Sequence, residues 1–343
     1  MFPERIGSTD ELERLLSAPT PGVIETLGKL DGDILILGVG GKMGPTLAQM
    51  AARASREAGV RRRVIGVARF TNQKLHAWLQ KHGVEPLVCD LLDPKQLENL
   101  PNAANIVAMT AFKFGSSSRP ADTWAVNCWL PANICQRFAT SRIAAFSTGN
   151  VYPLTPVLRG GSVESDPLAP VGEYAASCVG RERMYEYFSR SAGTRVSMLR
   201  LNYACELRYG VLVDLARQVM AGEPIDVTMG YVNVIWQGDA NALALQSLAH
   251  AASPPFVLNI AGSETLSVRH ICEELGELLG RQPMFAGTED DKALLSNSQF
   301  GLRLFGPPRV SIEQLCGWIA HWLKTGGELL DKPTKFQVRD GKF

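Results

Sequence analysis

Glycines at 38, 41 and 44, in Gly38-Val-Gly40-Gly41-Lys42-Met43-Gly44, are spaced to fold a backbone around a phosphate. Without side chains the turn can be tight, its amides can approach a pyrophosphate, and the next helix can pack on the preceding strand. The helix N-terminus then offers unpaired N–H groups and the positive end of its dipole. A purely structural strand-to-helix turn would use the same glycines, so the flanks decide. Before the turn, Asp33-Ile-Leu-Ile-Leu37 is a short continuous apolar run of the kind a buried parallel strand needs. After it comes an alanine-rich helix from about Pro45 to Ala58. That context favours a dinucleotide.

The end of the second strand reads the ribose. An Asp or Glu there would bind a free 2′-hydroxyl, but the chain has Ala68-Arg69-Phe70. The planar fork of Arg69 suits a 2′-phosphate, so NADP is favoured over NAD. The plainer reading is a solvated charge beside Arg61, Arg62 and Arg63. Asp90, just past the third strand, can accept from the adenine amino group or cap a helix before Pro94.

Composition excludes other chemistries. The seven cysteines are widely spaced with no CxxC, which reads as reduced core thiols rather than disulfides or zinc. Five scattered histidines form no HxxxH, so no metal is expected. Lys and Arg number 35 against 34 Asp and Glu, a net charge of +1, so no nucleic-acid or anionic-membrane partner is expected. The acidic N-terminus lacks a secretory h-region and no apolar run is long enough to span a bilayer, so the expected compartment is the cytoplasm.

The elements that must position these groups alternate. Further strands are expected at Arg63–Ala68, Pro86–Cys89, Asn105–Met109, Arg142–Ser147 and Arg195–Arg200. Helices are expected at Asn72–His82, Asp122–Thr140 and from about Tyr174. Strand–helix alternation predicts an α/β doubly wound parallel sheet. Residues 1–32 read as a helical extension with capping-box spacing from Ser8 to Glu11. Residues 33–200 form the sheet domain, 201–330 a smaller mixed C-terminal lobe partly interleaved with it, and 331–343 an extended surface tail. In the lobe, Val211–Ala221 and Val268–Leu279 read as amphipathic helices and Phe256–Ile260 as a late strand.

Four segments, in order, resemble the extended short-chain dehydrogenase/reductases, the NAD(P)-dependent epimerase/dehydratase family. They are the glycine turn, Val126-Asn127 with Asn133, Ser147-Thr148-Gly-Asn-Val-Tyr152, and Tyr174-Ala-Ala-Ser177. Arg200-Leu-Asn202-Tyr203 is similar to the family's substrate-facing turn. The likeness covers residues 33 to 325 and implies a Rossmann-like fold with a substrate lobe. It further implies that Tyr174 is the acid/base, that Thr148 bonds the same substrate oxygen, and that a hydride moves to or from a nicotinamide. Lys42, Met43, Leu91, Asn127 and Lys113 would join the cofactor site, and Ser147, Asn150 and Asn202 would face the substrate, a sugar or sugar nucleotide. A homodimer is also implied, through the helices Asp122–Thr140 and Tyr174–Arg190, with Trp129, Phe138, Met184 and Phe188 to be covered.

The chain departs from the family at one position. Where the family places a Lys four residues after the Tyr, this chain has Cys178. One helical turn on, it faces the same way as Tyr174, and a neutral thiol cannot lower the tyrosine pKa as an ammonium does. Lys113 is a candidate replacement cation. Arg181, two turns beyond Tyr174, is the other, although it is expected to be a solvated or phosphate-contacting charge. Loss of the Lys leaves two functional classes open: an enzyme of epimerase, dehydratase or keto-reductase type, and a catalytically impaired NAD(P)-binding sensor.

Overall fold

Successive residues of a strand point to opposite faces of a sheet. Ile34 and Ile36 accordingly enter one hydrophobic core, Leu35 and Leu37 the other. A strand buried on both faces must lie inside its sheet, and this one does. The structure, a computed structural model describing residues 2–342, has seven strands in one parallel sheet. They are β1 (Ile34–Leu37), β2 (Val64–Ala68), β3 (Glu85–Val88), β4 (Asn105–Ala108), β5 (Arg142–Thr148), β6 (Arg195–Leu201) and β7 (Phe256–Ile260). Their order is β7-β6-β5-β4-β1-β2-β3. Strand order reverses between β1 and β4, which opens a crevice at their C-terminal ends. The late strand β7 joins the central sheet beside β6.

The expected helix over 122–140 is broken in a specific way. It runs Pro120–Trp124, then a π turn over Ala125–Trp129, then Leu130–Arg137. Leu130 N–H reaches back to Ala125 C=O. Pro131 brings no N–H, so the Asn127 carbonyl loses its usual partner one turn on. A π turn inserted in a helix often marks a functional site.

The terminal segments are less separate than expected. Ser8 caps the helix Thr9–Leu16 by accepting from Glu11 N–H. Leu12, Leu15 and Leu16 then pack into the C-terminal lobe's core with Leu212, Val232 and Trp318. The tail has no regular structure, but it is not a surface segment: Thr334 and Phe336 are buried, Phe336 in that same core. On the expected dimer face, Phe138 is buried in the sheet core, because its helix turns that side inward. Phe188 is half-buried against the same core and Met184 is half-buried. Trp129, Trp124 and Tyr187 are the exposed apolar side chains of these helices. No helix among the described residues is long and apolar enough to cross a membrane.

Candidate active site

The crevice holds two cavities. The larger, of about 540 Å³, runs from Gly38 and Gly41 to Arg69, Asp90 and Leu91. The smaller, of about 160 Å³, is lined by Lys42, Met43, Lys113, Thr148, Asn150 and Asn202. The glycine turn lies between them. The glycines at 38, 41 and 44 have different reasons. Gly38 has φ +85°, and a Cβ there would sit 3.0 Å from Thr110 Cγ2. A Cβ on Gly44 would overlap the Val39 carbonyl, so Gly44 serves helix–strand packing. A Cβ on Gly41 would meet nothing nearer than the Gly38 oxygen at 3.6 Å. The space over Gly41 is therefore open, and the residues fit a dinucleotide laid across the turn. Arg69, exposed at the end of β2, stands at the far end of the larger cavity. Asp90 is not a helix cap: Asp93 caps Pro94–Glu98, accepting from Lys95 and Gln96 N–H, while Asp90 accepts from Leu92 N–H at 3.1 Å.

Behind the smaller cavity stands Tyr174, 6% exposed, at the start of the helix Gly172–Ala192. Thr148 and Cys178 are the polar neighbours of its hydroxyl. Thr148 also accepts from the Asn150 backbone and side-chain amides at 3.2 and 3.0 Å, closing β5 with a short turn. Burial, and next the Cys178 thiol, hold the Tyr174 hydroxyl far above its ordinary range, against a downward pull from Arg181. Burial likewise pushes the fully buried Cys178 thiol up. The Lys113 ammonium lies 5.7 Å from the Tyr174 ring, and burial brings it down to about 8.

Arg181 is not solvated. It is 3% exposed, donating to Phe146 O at 2.9 Å and Asn127 Oδ1 at 2.6 Å, with the freed Asn127 carbonyl 3.4 Å from its Nε. Asn127 itself faces neither cavity. Its amide bonds both backbone groups of Phe112 at 2.9 and 3.0 Å and Ser177 Oγ at 3.0 Å. It thus ties the loop after β4, which carries Lys113, to the Tyr174 helix. Ser147 also points away, donating to Glu182 Oε1 at 2.6 Å. Glu182 holds Arg200 in a buried pair at 2.7 Å, and Arg200 Nη1 donates to Tyr152 Oη at 2.7 Å. Asn202, on the turn after β6, donates to Asn233 Oδ1 at 2.7 Å. Arg181, a candidate cation by its seven-residue spacing from Tyr174, is thus buried rather than solvated, and Thr334 of the tail lines the smaller cavity without any signal in the sequence.

The profile of the NAD dependent epimerase/dehydratase family matches residues 34–229, more than half of the chain, and the chain belongs to that family. No curated protein matches it. Among solved structures it is similar to the UDP-glucose 4-epimerase of Thermotoga maritima with UDP-glucose, at 17% identity and TM-score 0.70, over 86% of this chain and 99% of that one. It is also similar to the dTDP-glucose 4,6-dehydratase of Streptomyces venezuelae with NAD bound, at 19% identity and TM-score 0.71, over 85% and 97%. A third is the UDP-glucuronic acid 4-epimerase of Bacillus cereus, at 16% identity and TM-score 0.70, over 85% and 99%. At these identities the likeness is one of fold.

Proposed function

We propose that this chain is an NAD(P)-dependent enzyme that moves a hydride to or from a sugar-type substrate, with Tyr174 as proton donor. The observation that carries the reading is Tyr174 buried beside Thr148, behind a cavity that Lys42 and Met43 of the glycine turn line. When bound, the nicotinamide supplies the hydride donor or acceptor. The chain does the rest. Gly38 to Gly44 hold the diphosphate, Lys113 stands beside the tyrosine, and Thr148 with Tyr174 binds the reacting oxygen. The same reading includes a homodimer covering Trp124, Trp129 and Tyr187.

Mixing the protein with NAD(P) and a panel of sugars, and following nicotinamide absorbance, tests the activity. Gly41→Val serves as control. Its Cβ has room within the fold but stands in the diphosphate's place, so binding and turnover should vanish while the unfolding temperature holds. Unchanged NAD(P) affinity by calorimetry would contradict the proposed use of the turn.

The same proposal favours NADP over NAD. Arg69 lines the far end of the larger cavity, and the acid that would bind a free ribose hydroxyl is absent from the end of β2. Arg69→Asp should reverse the preference by repelling the 2′-phosphate. Equal affinity of the native protein for both cofactors would sink this part. Cys178 favours a second reading, a cofactor-loaded sensor. It becomes the better one if NAD(P) binds and no sugar is turned over at any pH.

A further inference from the structure

A separate cavity, of about 220 Å³, lies beside the edge strand β7, and none of its lining residues lines the two cavities of the crevice. Segments from distant parts of the chain meet there. They are the start of the helix Pro21–Lys29, the helix Gln237–Gln246, and the helix Gln299–Phe305 with the loop that leads to Arg309. The walls are mainly apolar, with Ile235, Leu243, Leu302, Phe305, Pro307 and Pro308 among them. The loop is clamped: Asp239, 5% exposed, accepts from the Arg309 backbone N–H at 2.8 Å and from its Nε at 2.6 Å. Asp239 and Arg309 are the ionisable side chains of the lining, and they neutralise each other. An ion entering here sheds water without meeting a free counter-charge, which is costly.

One polar group of the lining is left over. Gln246, 9% exposed, donates from its amide to Ala242 O at 3.3 Å. Its Oε1 packs on Gly22 and accepts from no donor among the described residues. Gly22 makes the room for it, since a Cβ at that position would overlap Oε1. A buried acceptor without a donor costs free energy, and a donor brought by a ligand recovers it. The helix that carries Gln246 also reaches the crevice. Gln237 lines the smaller cavity, and Gln237 and Asn241 each donate to Thr46, in the helix after the glycine turn, at 3.2 Å. Ile235 pairs with Ala204, which lines that smaller cavity.

We infer that this cavity is a second ligand site, for a small uncharged ring compound of the phenol type whose hydroxyl donates to Gln246 Oε1. An apolar cavity of roughly 150 Å³ takes up one benzene ring, so the volume here accepts a ring with a polar substituent. The occupant lies one element away from the crevice, as an effector would, and its binding does not depend on the function proposed for the crevice.

Calorimetry on the full chain tests this, with p-cresol, toluene, benzoate and benzylammonium as probes. One p-cresol should bind per chain, with toluene about tenfold weaker for want of the donor and the two ions weaker than p-cresol. Leu243→Trp fills the cavity and should abolish p-cresol binding. Gly22→Ala displaces Gln246 Oε1 and should bring p-cresol to the toluene level. An alanine suits a helix better than a glycine does, so the unfolding temperature should not fall. Where Leu243→Trp fails to fold, Gly22→Ala decides. The inference is overturned if p-cresol gives no binding at millimolar concentration, or if toluene or either ion matches it. It is also overturned if p-cresol binds Leu243→Trp or Gly22→Ala as it binds the native chain, which would place the probe elsewhere. Failure of the native protein to bind NAD(P) would overturn the proposed function and leave these outcomes as they stand.

Discussion

Glu182→Ala is expected to destabilise the protein by about 3–5 kcal/mol, because it strands a buried guanidinium. Arg200 and Glu182 have side chains only 7% and 4% exposed. The pair is bidentate, Arg200 Nε donating to Glu182 Oε1 at 3.0 Å and Nη2 to Oε2 at 2.7 Å. Ser147 adds a third donor to the same carboxylate. Removing the acid leaves Arg200 with Tyr152 and the Glu164 carbonyl, neither of which carries charge. Glu182→Gln should cost less, since it keeps an acceptor for Ser147. Replacing both partners, as Glu182→Leu with Arg200→Met, should restore part of the loss, because the unpaired charge rather than the missing bond dominates. Denaturant unfolding of the singles and the double reads all three. A Glu182→Ala loss under about 1 kcal/mol would mean that Arg200 finds water or another partner.

This network also shows what the sequence can and cannot reveal. Strand patterning shows where β5 and β6 lie, since their apolar runs need no partner to be recognised. It cannot show that Ser147 turns to a glutamate 35 residues on rather than to a substrate. Arg181 reads as solvated for the same reason. Its burial depends on Asn127, and on a proline that frees the Asn127 carbonyl, both on another helix. The tail is the extreme case. Thr334 is buried through Asp214, 120 residues earlier, and nothing periodic in Lys332–Lys342 announces it. The glycine turn was legible because its constraint is local: φ at Gly38, packing at Gly44, open space at Gly41. Phe138 marks the boundary of that legibility. Its helix was expected, but which side met the sheet was not.

Oxidation of an alcohol by this protein is expected to be slow at neutral pH and to rise about tenfold per pH unit with no plateau below pH ~10, the ordinary tyrosine pKa. Tyr174 is buried beside a thiol where an ammonium would have favoured its phenolate, and both shift its titration upward. The base form is then scarce near pH 7, whereas the acid form, which a reduction needs, is fully present. Arg181 pulls the other way without reversing the balance. Lys113 is the second nearby cation, but at about 8 it loses its charge just where a phenolate would need it. Cys178→Lys puts a cation one turn from Tyr174. Because a cation stabilises the phenolate, the alkaline limb should move to lower pH, each unit representing about 1.4 kcal/mol. A lysine at this fully buried site can upset the fold, so Lys113→Met provides the complementary change. Losing that cation should lower oxidation below about pH 8, where the ammonium is charged, and leave the limb above it unmoved. Phenolate absorbance of the native protein, taken against Tyr174→Phe, follows the same titration without any substrate. A native oxidation profile already flat from neutrality and unmoved by Lys113→Met would show that the tyrosine is ionised despite its surroundings.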